Sequence, residues 1–274
     1  MAKYDDLKVG FIGGGAMGGA IVAGITAAGI VAPEHVYVSD HKQARCDELH
    51  EKYGVVATVG AEGFAGSVDV LFIAVKPQVA DDAIDEIKKL VRKETLIISI
   101  VAGLKLNALR EAFDYQNNPY VRVMPNTPLA VGEGMSAFAC GEHVKEKERA
   151  IVSSLLSSAG RAVEVKESLL DAVTGLSGSG PAYVFLMIDA LADGGVAAGL
   201  KRADAIELAA QTVLGSARMV LESGQHPDVL RDQVTSPAGT TIAGVRVLEQ
   251  HGFRGALIDA VLAATEKSRE LGKK

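Results

Sequence analysis

The sequence predicts an α/β chain that opens with a doubly wound sheet and closes with helices alone, on three observations. From Leu7 to Val165, short β-branched runs alternate with longer segments of helical periodicity, which is the pattern of successive βαβ units. Several of those runs, Val70-Leu71-Phe72-Ile73-Ala74-Val75 among them, are apolar throughout, as strands covered on both faces by crossover helices must be. Beyond about Lys166 the strand signals stop. Long Ala- and Leu-rich segments follow, broken at Gly178–Pro181, Gly199–Arg202, Gly224–Pro227 and Ser236–Gly239. The expected division is into residues 1–165 and residues 166–274.

Taken in order, the expected strands are Lys8–Ile12, Val36–Ser39, Val55–Ala57, Val70–Val75, Leu96–Ile100, Tyr120–Val123, Gly134–Ala139 and Arg161–Val165. The charge-dense stretch Glu142–Arg149 reads as the solvated start of a helix. In the second part, Ala182–Ala198 carries Val184, Met187, Ile188 and Leu191 on one stripe, yet Phe185, Leu186, Ala192 and Val196 leave its other faces apolar too. A helix apolar all round has to be buried. Residues 166–274 offer little bulk for that, so a second copy of the chain is expected to cover the helix. The helical part is thus predicted to be a dimerisation domain in an intertwined homodimer or a larger homo-oligomer.

Composition narrows the class of partner. Of 274 residues, 48% are hydrophobic and 23% charged, an ordinary globular balance, and the net charge is −6. An acidic chain does not attract nucleic acid or an anionic membrane, so neither is expected, and a small-molecule substrate is. The two cysteines, Cys46 and Cys140, have neither the spacing of a zinc site nor that of a disulfide framework; no metal is expected. The N-terminus lacks the charged-then-apolar pattern of a signal peptide and no run reaches membrane-spanning length, which predicts a cytoplasmic protein.

Gly13, Gly15 and Gly18 form a G-x-G-x-x-G pattern in Gly13-Gly14-Gly15-Ala16-Met17-Gly18. It directly follows a predicted strand and opens a helix with Ile21, Val22 and Ile25 on its inner side, the context that gives the pattern meaning. Gly13 permits the tight turn, Gly15 removes the β-carbon that would hold the backbone off a pyrophosphate, and Gly18 lets the helix press on the sheet. A Rossmann-like dinucleotide-binding domain follows, with the phosphates on free N–H groups at a helix start. Some 20 residues further on, Ser39 and Asp40 end the second strand where the adenosine ribose lies. Asp40 can accept from ribose hydroxyls, which favours NADH; Ser39, His41 and Lys42 can hold a 2′-phosphate, which favours NADPH; and an Asp here can also simply cap the next helix. Both cofactors stay open.

Other loops at strand ends are expected to line the same crevice: Ala74-Val75-Lys76-Pro77, Ala102 in Val101-Ala102-Gly103, and Asn126 and Thr127 in Met124-Pro125-Asn126-Thr127-Pro128. Asn126 and Thr127 can orient a nicotinamide carboxamide or serve as a rigid turn between two prolines. In the helical part, Ser236-Pro237-Ala238-Gly239-Thr240-Thr241 has the residues of a helix start. Such an end presents unpaired N–H groups and a positive dipole end, Gly239 allows close approach, and a small carboxylate can bind without any arginine.

The stretches Gly10–Gly19, Ala74–Pro77, Met124–Pro128, Asp171–Tyr183 and Val234–Gly244 together resemble the pyrroline-5-carboxylate reductase family over nearly the whole chain. The resemblance implies NADPH- or NADH-dependent reduction of Δ1-pyrroline-5-carboxylate, the last step of proline synthesis, in a dimer or larger assembly. It also implies that Ser236 and the backbone N–H groups of Thr240 and Thr241 grip the substrate carboxylate, with the Thr241 hydroxyl near the ring nitrogen as the catalytic group. Two other readings share the Gly13–Gly18 loop. A β-hydroxyacid dehydrogenase places a catalytic lysine after a glycine-rich turn, and no lysine occurs between Pro181 and Lys201. A non-catalytic nicotinamide-binding sensor has no need of the Ser236–Thr241 grip.

Overall fold

The computed structural model describes residues 3–114 and 117–272. In chain order these form β1 (Val9–Ile12), α1 (Ala16–Ala27), β2 (Val36–Ser39), α2 (Gln43–Tyr53), β3 (Val56–Thr58), β4 (Val70–Ile73), α3 (Ala80–Ile87), β5 (Leu96–Ser99) and α4 (Leu106–Ala112). There follow β6 (Tyr120–Met124), β7 (Gly134–Cys140), α5 (Glu146–Ser157), β8 (Gly160–Glu164) and α6 (Leu170–Val173). A π-helical turn at Thr174–Gly178 then leads into α7 (Gly180–Ala197), α8 (Arg202–Ser223), α9 (Pro227–Gln233), α10 (Thr240–Gln250) and α11 (Phe253–Leu271).

The eight strands make one sheet in the order β3-β2-β1-β4-β5-β6-β7-β8. Every expected strand is present within a residue or two, but β7 runs antiparallel to β6, with Val121 opposite Cys140 and Met124 opposite Ala137. The βαβ rhythm suggested a parallel pair. Nine residues separate these strands (125–133), too few for the crossover a parallel neighbour requires, so the chain turns straight back. β7 and β8, which have α5 between them, are parallel.

Strand alternation sends side chains to two separate cores. Val70 and Phe72 of β4 join Val9, Phe11, Ile98 and Val123 beneath α1, α2 and α5, where Ile21, Val22, Ile25, Leu49 and Leu155 are fully buried. Leu71 and Ile73 face the other way, with Ile97 and the Ile84, Ile87 and Leu109 side chains of α3 and α4. Helices on both faces of the sheet are what the unbroken apolar strands demanded. The Phe11 and Phe72 rings stack with centroids 4.5 Å apart. α5 begins with Lys145 N–H donating to the Glu148 carboxylate at 2.8 Å, where the charged start of a helix was expected.

The chain gathers into two compact units, Met1–Gly178 with Ala264–Lys274, and Ser179–Ala263. In the first, Leu170 of α6 is buried against Ala137 and Ala139 of β7. Asp171 accepts a hydrogen bond from Ser268 of α11 at 2.7 Å. In the second, α7 to α10 and most of α11 follow the breaks read from sequence, with one more break at His251-Gly252, where Gly252 takes a φ of 70°. Among its described residues only Ala192, Ala205 and Ala209 are buried hydrophobics, while Phe185, Leu186 and Leu191 of α7 are 63%, 72% and 51% exposed. This unit has almost no core of its own.

Replacing Phe72 by Ala removes a fully buried ring from the stack at the middle of the sheet and is expected to lower unfolding stability by about 3–5 kcal/mol. Urea denaturation of the variant measures it, and an unchanged midpoint would contradict the packing described.

Candidate active site

The glycine-rich loop is shaped by what surrounds it. Gly13 follows the last residue of β1 with φ 103°, a conformation open to glycine, and a β-carbon there would meet the Ala74 carbonyl oxygen at 2.6 Å. Its N–H donates to Ser39 O at 2.9 Å, and Ala74 N–H donates to Ile12 O at 2.8 Å, so the ends of β1, β2 and β4 are stitched together. A β-carbon on Gly18 would strike the Gly13 carbonyl; bare, it lets α1 lie directly on the turn. Gly15 is the N-cap of α1, no side chain caps this end, and a β-carbon on Gly15 would project into open space. A close-packed turn with an unobstructed helix start fits a dinucleotide pyrophosphate.

At the end of β2, Ser39 is buried and its hydroxyl donates to Phe11 O at 3.4 Å. The Asp40 side chain is only 10% exposed. Its Oδ2 accepts from Gly14 N–H at 3.1 Å, its Oδ1 accepts from Lys42 N–H at 3.1 Å, and His41 Nδ1 lies 3.2 Å from Oδ1. The carboxylate is thus largely engaged by backbone, combining a turn-forming role ahead of α2 with a grip on the glycine loop. Cys46 is buried beneath it, its thiol pushed up by burial.

The loops after β4, β5 and β6 lie along the same edge of the sheet, next to the switch in strand order between β1 and β4. Ala74 and Val75 are half-buried, and Lys76, Pro77, Ala102 and Thr127 are exposed. Asn126 is 8% exposed and engages both ends of its amide inside the protein. Oδ1 accepts from Met135 N–H at 2.8 Å, and Nδ2 donates to Ser177 O at 3.1 Å. It therefore braces the loop against β7 and the π-helical turn, and the neighbouring Thr127 side chain is exposed. Gly178, at the end of that turn, leaves room for the Met124 side chain. The sheet edge thus brings together Gly13–Gly18, Ser39, Asp40, Ala74–Pro77, Ala102, Asn126 and Thr127.

Ser236–Thr241 belong to the second unit. Gly239 N–H donates to Ser236 O at 3.1 Å across Pro237-Ala238, and Ala238 is held at φ 59°, in the left-handed region. Pro first and a positive φ second is the pattern of a type II turn, in which an L-residue at the second place costs about 1 kcal/mol or more. Gly239 is the N-cap of α10 with no side-chain cap, and a β-carbon on it would collide with the Ser236 hydroxyl. Ser236 and Thr240 are exposed and Thr241 half-buried. Hydroxyls and free N–H groups meet at the positive end of a helix, which suits an anion. Among the described residues no group of His, Cys, Asp and Glu is placed to hold a metal ion, and no helix is long and apolar enough to cross a membrane.

Together, the doubly wound sheet, the glycine loop at its switch point and the helical second part define a nicotinamide-dependent oxidoreductase with a Rossmann-type domain. Residues 167–271 match the family model for pyrroline-5-carboxylate reductase dimerisation, and residues 8–103 match that for NADP oxidoreductase, coenzyme F420-dependent. A pyrroline-5-carboxylate reductase of Arabidopsis thaliana is 47% identical over 269 residues, 98% of this chain and 97% of its own length. The structure of a pyrroline-5-carboxylate reductase from Coxiella burnetii aligns with a TM-score of 0.92 at 35% identity, over 97% of this chain and 98% of that one. A Plasmodium falciparum pyrroline carboxylate reductase with NADP bound aligns at 0.85 and 36% identity, over the same shares of the two chains. The chain belongs to the pyrroline-5-carboxylate reductase family.

Because a methyl group on Gly15 meets no protein atom within 4 Å, Gly15→Ala is expected to keep its melting temperature while the Kd for NADPH or NADH rises about tenfold or more. Nucleotide titration followed by fluorescence, beside a thermal melt, measures both. Undiminished affinity would remove the pyrophosphate from this loop.

Proposed function

We propose that the chain reduces Δ1-pyrroline-5-carboxylate to proline, with NADPH or NADH as the hydride source. The whole-length similarity to reductases of this substrate supports the reading, and the observation that carries it to the residues is the glycine-capped start of α10 with Ser236 over it. In this reading Gly13–Gly18 hold the pyrophosphate, and Ser39, Asp40, Ala74–Pro77, Ala102, Asn126 and Thr127 shape the rest of the cofactor cleft. Ser236 and the N–H groups of Thr240 and Thr241 hold the substrate carboxylate, Gly239 permits the approach, and the Thr241 hydroxyl stands at the ring nitrogen. A protonated cyclic imine is already electrophilic at its C=N carbon, so accepting a hydride there needs positioning more than acid catalysis. A site built from backbone N–H groups and hydroxyls meets that need.

The proposed division of labour assigns the cofactor to residues 1–165 and the dimer contact and substrate grip to residues 166–274. The exposed apolar side chains of α7 support burial against a second copy, in a homodimer or a larger homo-oligomer. A net charge of −6 gives no purchase to nucleic acid or an anionic membrane. A cytoplasmic location is part of this reading. A β-hydroxyacid dehydrogenase needs a basic side chain near the start of the helix after the glycine-rich turn, and α7 contains no lysine from Gly180 to Ala197.

Loss of NADPH or NADH absorbance on adding pyrroline-5-carboxylate tests the reaction, and no turnover with either nucleotide would leave the sensor reading. Thr241→Ala is expected to lower kcat/KM by about 10- to 1000-fold, the scale of losing one or more hydrogen bonds near a charged group; wild-type kinetics would remove Thr241 from the site. Sedimentation at micromolar concentration is expected to show a dimer or larger species, and a monomer throughout would refute the burial argument.

A further inference from the structure

The motif accounts for Gly13, Gly15 and Gly18 but not for Gly14 and Gly19, and both of these lie against side chains from the end of β2 and the start of α2. Gly14 N–H donates to Asp40 Oδ2 at 3.1 Å, and Gly14 O accepts from Arg45 Nε at 2.7 Å. A β-carbon on Gly14 would meet Leu49 Cδ1 at 2.6 Å and Val38 Cγ1 at 3.2 Å, so the residue fits only bare. A β-carbon on Gly19 would lie 2.6 Å from the Arg45 guanidinium, which occupies the space that Gly19 leaves. Arg45 is 27% exposed and is steered by Glu48, one turn along α2, at 2.6 Å. A cation in the first turn of a helix opposes the dipole of that helix, which offsets what the Glu48 pair contributes, so α2 gains little from an arginine here. Its benefit lies across the gap, at Gly14.

We infer that Arg45 and Asp40 are a positioning pair that locks the two peptide units flanking Gly14 and thereby presets the pyrophosphate cradle. The C=O and N–H of a trans peptide point opposite ways. Holding Gly14 O on Arg45 therefore fixes the direction of the Gly15 N–H, at the entry to α1, while Asp40 fixes the preceding peptide. A phosphate then meets donors already in place, without the cost of ordering a mobile glycine loop. Neither residue has to touch the nucleotide for this.

The inference rests on the reading that the loop binds a dinucleotide, and the test separates the two. Binding of NADPH and NADH to the wild-type protein is measured first by isothermal titration calorimetry; failure to bind either removes the cofactor reading itself. Arg45→Met, of similar length but without a donor, is then expected to weaken both nucleotides by the same factor, about tenfold, the scale of one hydrogen bond from a charged donor. 2′-Phosphoadenosine, which lacks the pyrophosphate, should bind as before. Arg45→Lys, which keeps the charge but puts a methylene where Nε stands, should lose as much. Gly19→Ala, which crowds the guanidinium off its seat while leaving Arg45 in the chain, should shift both affinities in the same direction. Amide hydrogen exchange of the nucleotide-free protein over residues 13–19 should quicken in all three. Loss confined to NADPH would overturn the inference in favour of direct contact with the 2′-phosphate. Unaltered affinity for both nucleotides, or full rescue by Arg45→Lys, would overturn it as well.

Discussion

An α-helix begins with backbone N–H groups that have no partner within the helix, and the two candidate binding sites of this chain are built on that shortfall. α1 and α10 each start from a glycine N-cap, Gly15 and Gly239, and neither end is closed by a side chain. At Gly15, where a β-carbon meets open space, a serine or aspartate would satisfy one donor and stabilise the helix by about a few tenths of a kcal/mol, but it would occupy the place of an anion; at Gly239 it would also strike the Ser236 hydroxyl. Glycine gives up that local stability and keeps the donors available. In the proposed function the same solution serves a pyrophosphate at one end and a carboxylate at the other, so a reaction between two anionic molecules needs no cationic side chain pointed at either.

Free donors are useful only when they are held still, and much of the surrounding structure does this. The sheet supplies a floor whose strands are buried on both faces, and the turn after β1 is tied to the ends of β2 and β4 by backbone hydrogen bonds. Asp40 and Arg45 grip the loop from the side, and Asn126 ties the exit of β6 to β7 and to the π-helical turn. π-Helical turns cost regular hydrogen bonding and recur at functional positions. At α10 the restraint takes another form: Ala238 is held in a left-handed conformation, so the Ser236–Gly239 turn is a strained piece of backbone beside the proposed carboxylate grip.

Most of this architecture was legible in the sequence because strand runs, glycine punctuation and helix starts are local signals. Arg45 shows where local reading ends. Nothing about an arginine early in a charged helix distinguishes it from a solvated surface residue, and its meaning appears only when β2 and α2 fold back beside the loop 31 residues earlier in the chain. Asn126 is a related case. The two prolines around it announced a stiff loop, but whether its amide faced a ligand or the protein depended on Met135 and Ser177, which arrive from elsewhere. The direction of β7 was readable from the short connection before it, yet the βαβ rhythm of the preceding strands outweighed that length. The break at Gly252 is not legible in the sequence, because a single glycine between two apolar helical stretches is a weak stop signal.

The helical part gives a different kind of legibility, through a mismatch between composition and bulk. An all-round apolar α7 required a cover, and the folded chain leaves Phe185 and Leu186 more exposed than large apolar side chains usually are. With three alanines as its only buried hydrophobics among the described residues, the second unit cannot owe its stability to a core of its own. If a second copy supplies that core, folding of the helices and association of the chains become a single equilibrium, as in dimers that have no stable folded monomer. The start of α10 lies within this unit, so in the proposed assembly the substrate grip is ordered by association. The glycine loop sits instead on a sheet with two complete cores. In the proposed assembly, cofactor binding and substrate binding therefore draw on different sources of rigidity, one intrinsic to the chain and one provided by a second copy.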